Sequence, residues 1–167
     1  MEAARKLAGG IDALTDLVGR ATSWLALGLA LVMGANVLLR YGFSLGWIWA
    51  QELEWHILVP ICLLGMSYAL RAGEHVRVDV LFASFTERNK HLVDVITAIL
   101  CILFSVIVIF LSTPYVMQSW NINEGSANPG GMDYRYIIKS LIPIGFALFA
   151  AQSLSEAIKS YIAYRSA

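Results

Sequence analysis

The chain has 167 residues, 58% of them hydrophobic and 14% charged, with a mean hydropathy of +0.66. Soluble domains are about 45–50% apolar and about 25% charged, so this composition indicates an integral membrane protein. A formal net charge of zero excludes the basic field that nucleic-acid binding requires.

Met1–Arg20 mixes Arg5, Lys6, Asp12 and Asp16 with Leu7, Ile11, Leu14 and Leu17. These apolar residues recur at helical spacing and predict a short surface-lying helix. Ala21–Leu39 then carries no charge over 19 residues. That is longer than the apolar region of a signal peptide, about 7–15 residues, and Asn36–Arg40 makes a poor cleavage site, so the run reads as a retained span. Tyr41–Trp49 clusters aromatics as they cluster at headgroup level. A second span is expected over 51–70, beginning with Glu52 and Glu54. Directly after it, Arg71, Glu74, His75, Arg77 and Asp79 crowd into a stretch of nine residues. Such charges do not sit in hydrocarbon unpaired. Asp79 is placed to cap a short amphipathic helix over 80–85. Thr86, with Glu87 behind it, is placed to cap a third span over 92–113. Asn121–Gly131 is rich in turn residues and lacks periodicity. A fourth span is expected over 137–161. Pro60, Pro114 and Pro143 mark expected kinks or local unwinding.

The expected fold class is therefore an all-α integral membrane protein, a single domain over 1–167. It has four transmembrane helices plus short amphipathic surface helices. Nine basic residues fall on the side that holds the two termini and the second loop; Arg40, Arg135 and Lys139 fall on the other. Basic residues stay cytoplasmic, so both termini are expected there, with 121–131 outside.

Small residues at four-residue spacing form stripes at Ala26, Ala30 and Gly34, at Gly65 and Ala69, and at Ala147, Ala151 and Ser155. Internal helix packing is their ordinary meaning, with a partner interface as the alternative. Cys62 and Cys101 lie inside apolar runs and read as packing residues rather than a disulfide. Glu52 and His56 share a helix face. Metal centres in bundles repeat their ligands on several helices, and here one helix carries the group. An acid near the positive end of the second helix is the simpler reading of Glu52, and pairing with a partner's cation is the main alternative. A haem-binding anchor of a redox complex needs two axial ligands within spans. His56 and His91 fall at opposite ends of their spans, and His75 is in a loop. A proton relay would require more intramembrane carboxylates than Asp94. The sequence thus implies no enzyme, cofactor or metal, and no substrate cavity of a complete transporter.

Three segments carry a family resemblance: Gln51–Glu54 at the start of the second span, Arg71–Asp79 at its end, and Tyr134–Gly145 leading into the fourth. The loop Glu124–Gly131 is similar to one branch of the same family. The chain resembles the small membrane subunit of the tripartite ATP-independent periplasmic (TRAP) transporters. The resemblance implies a sodium-coupled importer in the bacterial inner membrane. In such a system a large membrane subunit carries substrate and sodium by an elevator motion. A periplasmic binding protein delivers a small organic acid, here with a hint of 2-oxo acids. The small subunit is expected to be a scaffold beside the fixed part of a separate large subunit. Glu52, Arg71, His75, Arg77 and Asp79 are the expected structural or interface residues, with Glu52 as the contact to the large subunit. Arg71 and Arg77 are expected to pair with acids or lipid phosphates. Trp47, Trp49, Glu124, Asp133 and Arg135, on the loops Phe43–Trp49 and Asn121–Arg135, are expected to face the binding protein.

Overall fold

The computed structural model describes residues 2–74 and 85–166. His75, Arg77 and Asp79, and nearly all of the expected 80–85 helix, lie outside these. The described residues form four helices: α1 (Glu2–Phe43), α2 (Ile48–Ala72), α3 (Glu87–Asn121) and α4 (Arg135–Ser166). All four are long and apolar enough to cross a membrane, and no strand occurs among the described residues.

The expected surface helix over 1–20 is not a separate element. It is the first half of α1, which runs unbroken for 42 residues. At 1.5 Å per residue this is about 63 Å, twice the hydrocarbon core of about 30 Å. The reason is tertiary: the early turns of α1 bury Ala8, Thr15, Gly19 and Thr22 against neighbouring helices. Packing therefore continues through the expected boundary.

The other helix ends follow local chemistry. Gly73 closes α2 in the left-handed conformation (φ 76°), and the N–H groups of Gly73 and Glu74 bond back to Leu70 and Ala69. This satisfies orphan carbonyls in the manner of a Schellman cap. Thr86 caps α3 by accepting from the Asn89 N–H at 3.4 Å, and Glu87 in the first turn binds Lys90 at 2.7 Å. α2, α3 and α4 each continue through an internal proline, at Pro60, Pro114 and Pro143.

The molecule is polar inside and apolar outside. Glu52, Gln152, Thr15 and several serines are buried, whereas Leu31 is 66% and Phe110 76% exposed. In lipid the hydrophobic effect does not hold helices together; close approach of small residues and interhelical hydrogen bonds do. α4 is the hub and packs on all three other helices, while α3 packs extensively on α4 alone. The α3 seam is Ala98, Ser105, Ser112 and Ser119, one small residue every seventh position. That period keeps one face turned to a partner crossing at a shallow left-handed angle. Ring contacts fix its antiparallel register: Arg88 on Tyr164 at 4.9 Å, Phe104 with Phe146 at 5.8 Å, and Trp120 with Tyr136 at 4.5 Å.

Glycine permits the two tightest approaches. Gly19 of α1 lies under the Tyr68 ring, and a Cβ at Gly145 of α4 would sit 2.8 Å from the Leu63 carbonyl oxygen of α2. The stripes read from sequence divide. Ser155 is buried and Gly65 and Ala69 are half-buried, but Ala26, Ala30 and Gly34 are exposed. Internal packing is thus not the role of the α1 stripe. The buried line on that helix is offset from it, through Thr15, Gly19 and Thr22.

Candidate functional site: ionic clamps at both ends of the bundle

Glu52 organises one end. It lies in the second turn of α2 and is 2% exposed. Its Oε1 accepts from Ser126 Oγ (2.5 Å), Asn128 Nδ2 (3.2 Å) and the Arg135 guanidinium (3.3 Å), and its Oε2 accepts from the Met132 N–H (2.7 Å). Three donors share Oε1 and one takes Oε2, so the ionised carboxylate accepts through both oxygens. The α3–α4 loop is therefore folded over Glu52. Gly131 is needed for this closure, because a Cβ there would meet Ser126 and lie 2.7 Å from Glu52 Oε2. The carboxylate of Glu52, the expected contact to the large subunit, is buried in this chain and engaged by its own loop.

Further contacts close the same end. The Arg135 N–H bonds to the Glu124 carbonyl (2.9 Å) across the neck of the loop. The Arg135 guanidinium also stands 5.6 Å from the Trp55 ring. Lys139 binds Glu124 and stands 4.1 Å from the Tyr115 ring. Tyr134 takes an uncommon left-handed conformation (φ 61°) at the turn into α4. Asn36 of α1 donates to Glu54 (2.7 Å) and to the Ala50 carbonyl (2.9 Å) of α2. Of the residues expected to face outward, Trp47, Trp49 and Asp133 are exposed at this end. Glu124 and Arg135 serve internal pairs. His56 Nδ1 bonds the Glu52 carbonyl at 2.7 Å.

The Lys139 hydrogen bond, aided by the Arg135 charge, holds the Glu124 carboxyl below its ordinary value of 4.5. A depressed folded-state pKa stabilises the fold above the unfolded value, and that contribution is lost as pH falls through the folded one. Wild-type protein should therefore lose stability on acidification below about 4.5 by an increment that Glu124→Gln does not show. Paired melting curves across that range measure it, and parallel curves would remove Glu124 from the acid response.

The opposite end holds a second cluster, which the sequence reading did not find. Asp12 of α1 accepts from Gln152 (2.9 Å), Ser155 (2.7 Å) and Lys159 (3.1 Å) of α4. Glu156 joins through Lys159 (2.6 Å) and Gln152 (2.9 Å). One turn further along α1, Asp16 pairs with Arg71 of α2 and, at 2.8 Å, with Arg20. In the charged stretch Arg71–Asp79, which begins in the last turn of α2, Arg71 has its described ion-pair partner within this chain. Direct pairing of Asp12 with Lys159 also sets both chain termini at the same end.

Apolar outer faces, a polar interior and ionic clamps at the helix ends define a multi-pass α-helical membrane protein. The family model for tripartite ATP-independent periplasmic transporters, DctQ component, matches residues 29–162. The chain belongs to that family, the small permease components of TRAP transporters, and is an inner-membrane protein. It is 24% identical over 139 residues to the ectoine TRAP transporter small permease protein TeaB of Halomonas elongata, covering 81% of this chain and 71% of that protein. It is also 24% identical over 149 residues to the C4-dicarboxylate TRAP transporter small permease protein DctQ of Vibrio cholerae serotype O1, covering 77% of this chain and 64% of the relative, less than two thirds.

Proposed function

We propose that this chain is the small permease subunit of a sodium-coupled importer of a small organic acid. In this reading it acts as a scaffold for a large membrane subunit, served by a periplasmic binding protein. The observation that carries the scaffold role is the double clamp. Glu52 with the α3–α4 loop ties α2 to α4 at one end, and Asp12 with Lys159 ties α1 to α4 at the other. A bundle pinned at both ends is suited to stay fixed while a neighbour moves. α3, whose extensive packing among the described residues is on α4, offers a broad apolar flank (Phe110 and Leu111 among its exposed residues) for a membrane partner.

The excess of basic residues at the end holding the termini supports a cytoplasmic placement for that end. Trp47, Trp49 and Asp133 then face the periplasm, where the binding protein docks. The two relatives are named for ectoine and for C4-dicarboxylates, at the same identity to this chain. In this reading the solute is accordingly chosen by the other two components. Affinity purification of the tagged chain from a host expressing all three components should recover the large subunit at a constant ratio through size exclusion. A chain that elutes without it, under conditions where the large subunit is intact, would end the scaffold reading.

A further inference from the structure

Thr15 Oγ1 of α1, Ser67 Oγ of α2 and Gln152 Oε1 of α4 belong to fully buried residues and have no hydrogen-bond partner among the described residues. Ser119 Oγ is a fourth such atom, but it stands apart at the other end of the bundle, beside Glu124. Thr15 and Ser67 depart from the pattern of the other helix hydroxyls. Thr22, Ser23, Ser105, Thr113 and Ser153 each donate to the carbonyl four residues back, the ordinary recourse of a hydroxyl on a helix. Thr15 and Ser67 leave the corresponding bonds, to Ile11 and Leu63, unmade. The amide of Gln152 is oriented by its own partners. Its Nε2 donates to the carboxylates of Asp12 and Glu156, which leaves Oε1 as an acceptor without a donor.

The register of the helices sets these three oxygens at one junction. Asp16 pairs with Arg71, and Gly19 lies under the Tyr68 ring, so the α1 turn 15–19 faces the α2 turn 67–71. Asp12, which holds Gln152, is one turn before Thr15 on the same face of α1. We propose that this three-helix junction binds one internal water molecule. The water donates to Gln152 Oε1 and to one hydroxyl and accepts from the other, which makes three bonds, the usual number for a buried water. Three buried oxygens without partners cost more than holding one water in place. A small cation also suits oxygen ligands, but the acids adjoining the junction are engaged: Asp12 and Glu156 by Lys159, and Asp16 by Arg71 and Arg20. Three neutral oxygens do not offset the cost of burying a further charge. The water thus ties α1, α2 and α4 together about one turn inside the ionic clamp.

The first test uses the wild-type chain in lipid bilayers and water-edited solid-state NMR, which follows magnetisation from water to nearby side chains. Thr15 and Ser67 should receive it several-fold faster than Ser153, which is equally buried on α4 next to Gln152 but back-bonded to Phe149. Equal rates at all three would overturn the proposal. The second test reads melting midpoints of the full chain. Thr15→Val and Ser67→Ala should each lower the midpoint, and the double variant should lower it by less than the sum, because either change alone loosens the shared water. Additive losses would mark two independent hydroxyls and contradict the bridge. Exchange of potassium for sodium should leave the wild-type midpoint unchanged; a rise specific to sodium would assign the three oxygens to a cation instead.

Discussion

Glu52→Ala should release the α3–α4 loop and destabilise the protein by about 3–5 kcal/mol, the usual cost of removing one partner from a buried ion pair. The substitution leaves the Arg135 guanidinium, the Met132 N–H and the Ser126 hydroxyl without the buried carboxylate they share. Glu52→Gln should not rescue it. Its amide keeps one acceptor oxygen but turns two N–H donors toward a site already filled with donors. Glu54→Ala gives the contrast, because Glu54 is half-buried and accepts one bond, from Asn36; about 1 kcal/mol is expected. Two measurements check this: the melting temperature in detergent and the rate of proteolysis within 122–134. A Glu52→Ala protein that melts with wild type and resists cleavage in that loop would show that the loop holds itself.

The second large effect is expected at Asp12. Asp12→Ala removes the acceptor shared by Gln152, Ser155 and Lys159, of which the first two are fully buried. Unsatisfied buried donors cost about 1–3 kcal/mol each, but Asp12 is itself partly exposed and Gln152 keeps its bond to Glu156, so about 2–3 kcal/mol in total is expected. Asp16→Ala should cost less, because Arg20 and Arg71 both reach solvent and exposed pairs contribute little. A double-mutant cycle of Asp12→Ala with Lys159→Ala separates the charge pair from the two neutral hydrogen bonds. If the single Lys159→Ala change reproduces the whole loss, the buried hydrogen bonds to Gln152 and Ser155 contribute nothing.

These two residues also show what the sequence could and could not reveal. Long apolar segments and end signals such as Thr86 are local properties, and they are legible without a structure. Glu52 stood out because an acid at the start of an apolar helix requires an explanation. Its partners did not, because the nearest of its loop donors is 74 residues away and that loop has no periodic pattern. Asp12 was overlooked because Leu7, Ile11, Leu14 and Leu17 dominate the helical pattern of the first turns. In a membrane bundle the large apolar residues face outward, and Leu7, Leu14 and Leu17 are indeed exposed. The informative line was the smaller and more polar one, Ala8–Asp12–Thr15–Gly19–Thr22. The same inversion explains the outward stripe of Ala26, Ala30 and Gly34. Small residues permit close packing, but the choice of face is made by the hydrogen bonds that lock the helix, here from Asp12 and Asn36.

The most direct test of the scaffold account is solute uptake into proteoliposomes containing the large subunit, with binding protein and solute outside and an inward sodium gradient. With this chain present, uptake should be robust. Without it, uptake should fall to background, and Glu52→Ala and Asp12→Ala chains should restore only part of it. Full uptake by the large subunit and binding protein alone would contradict the account.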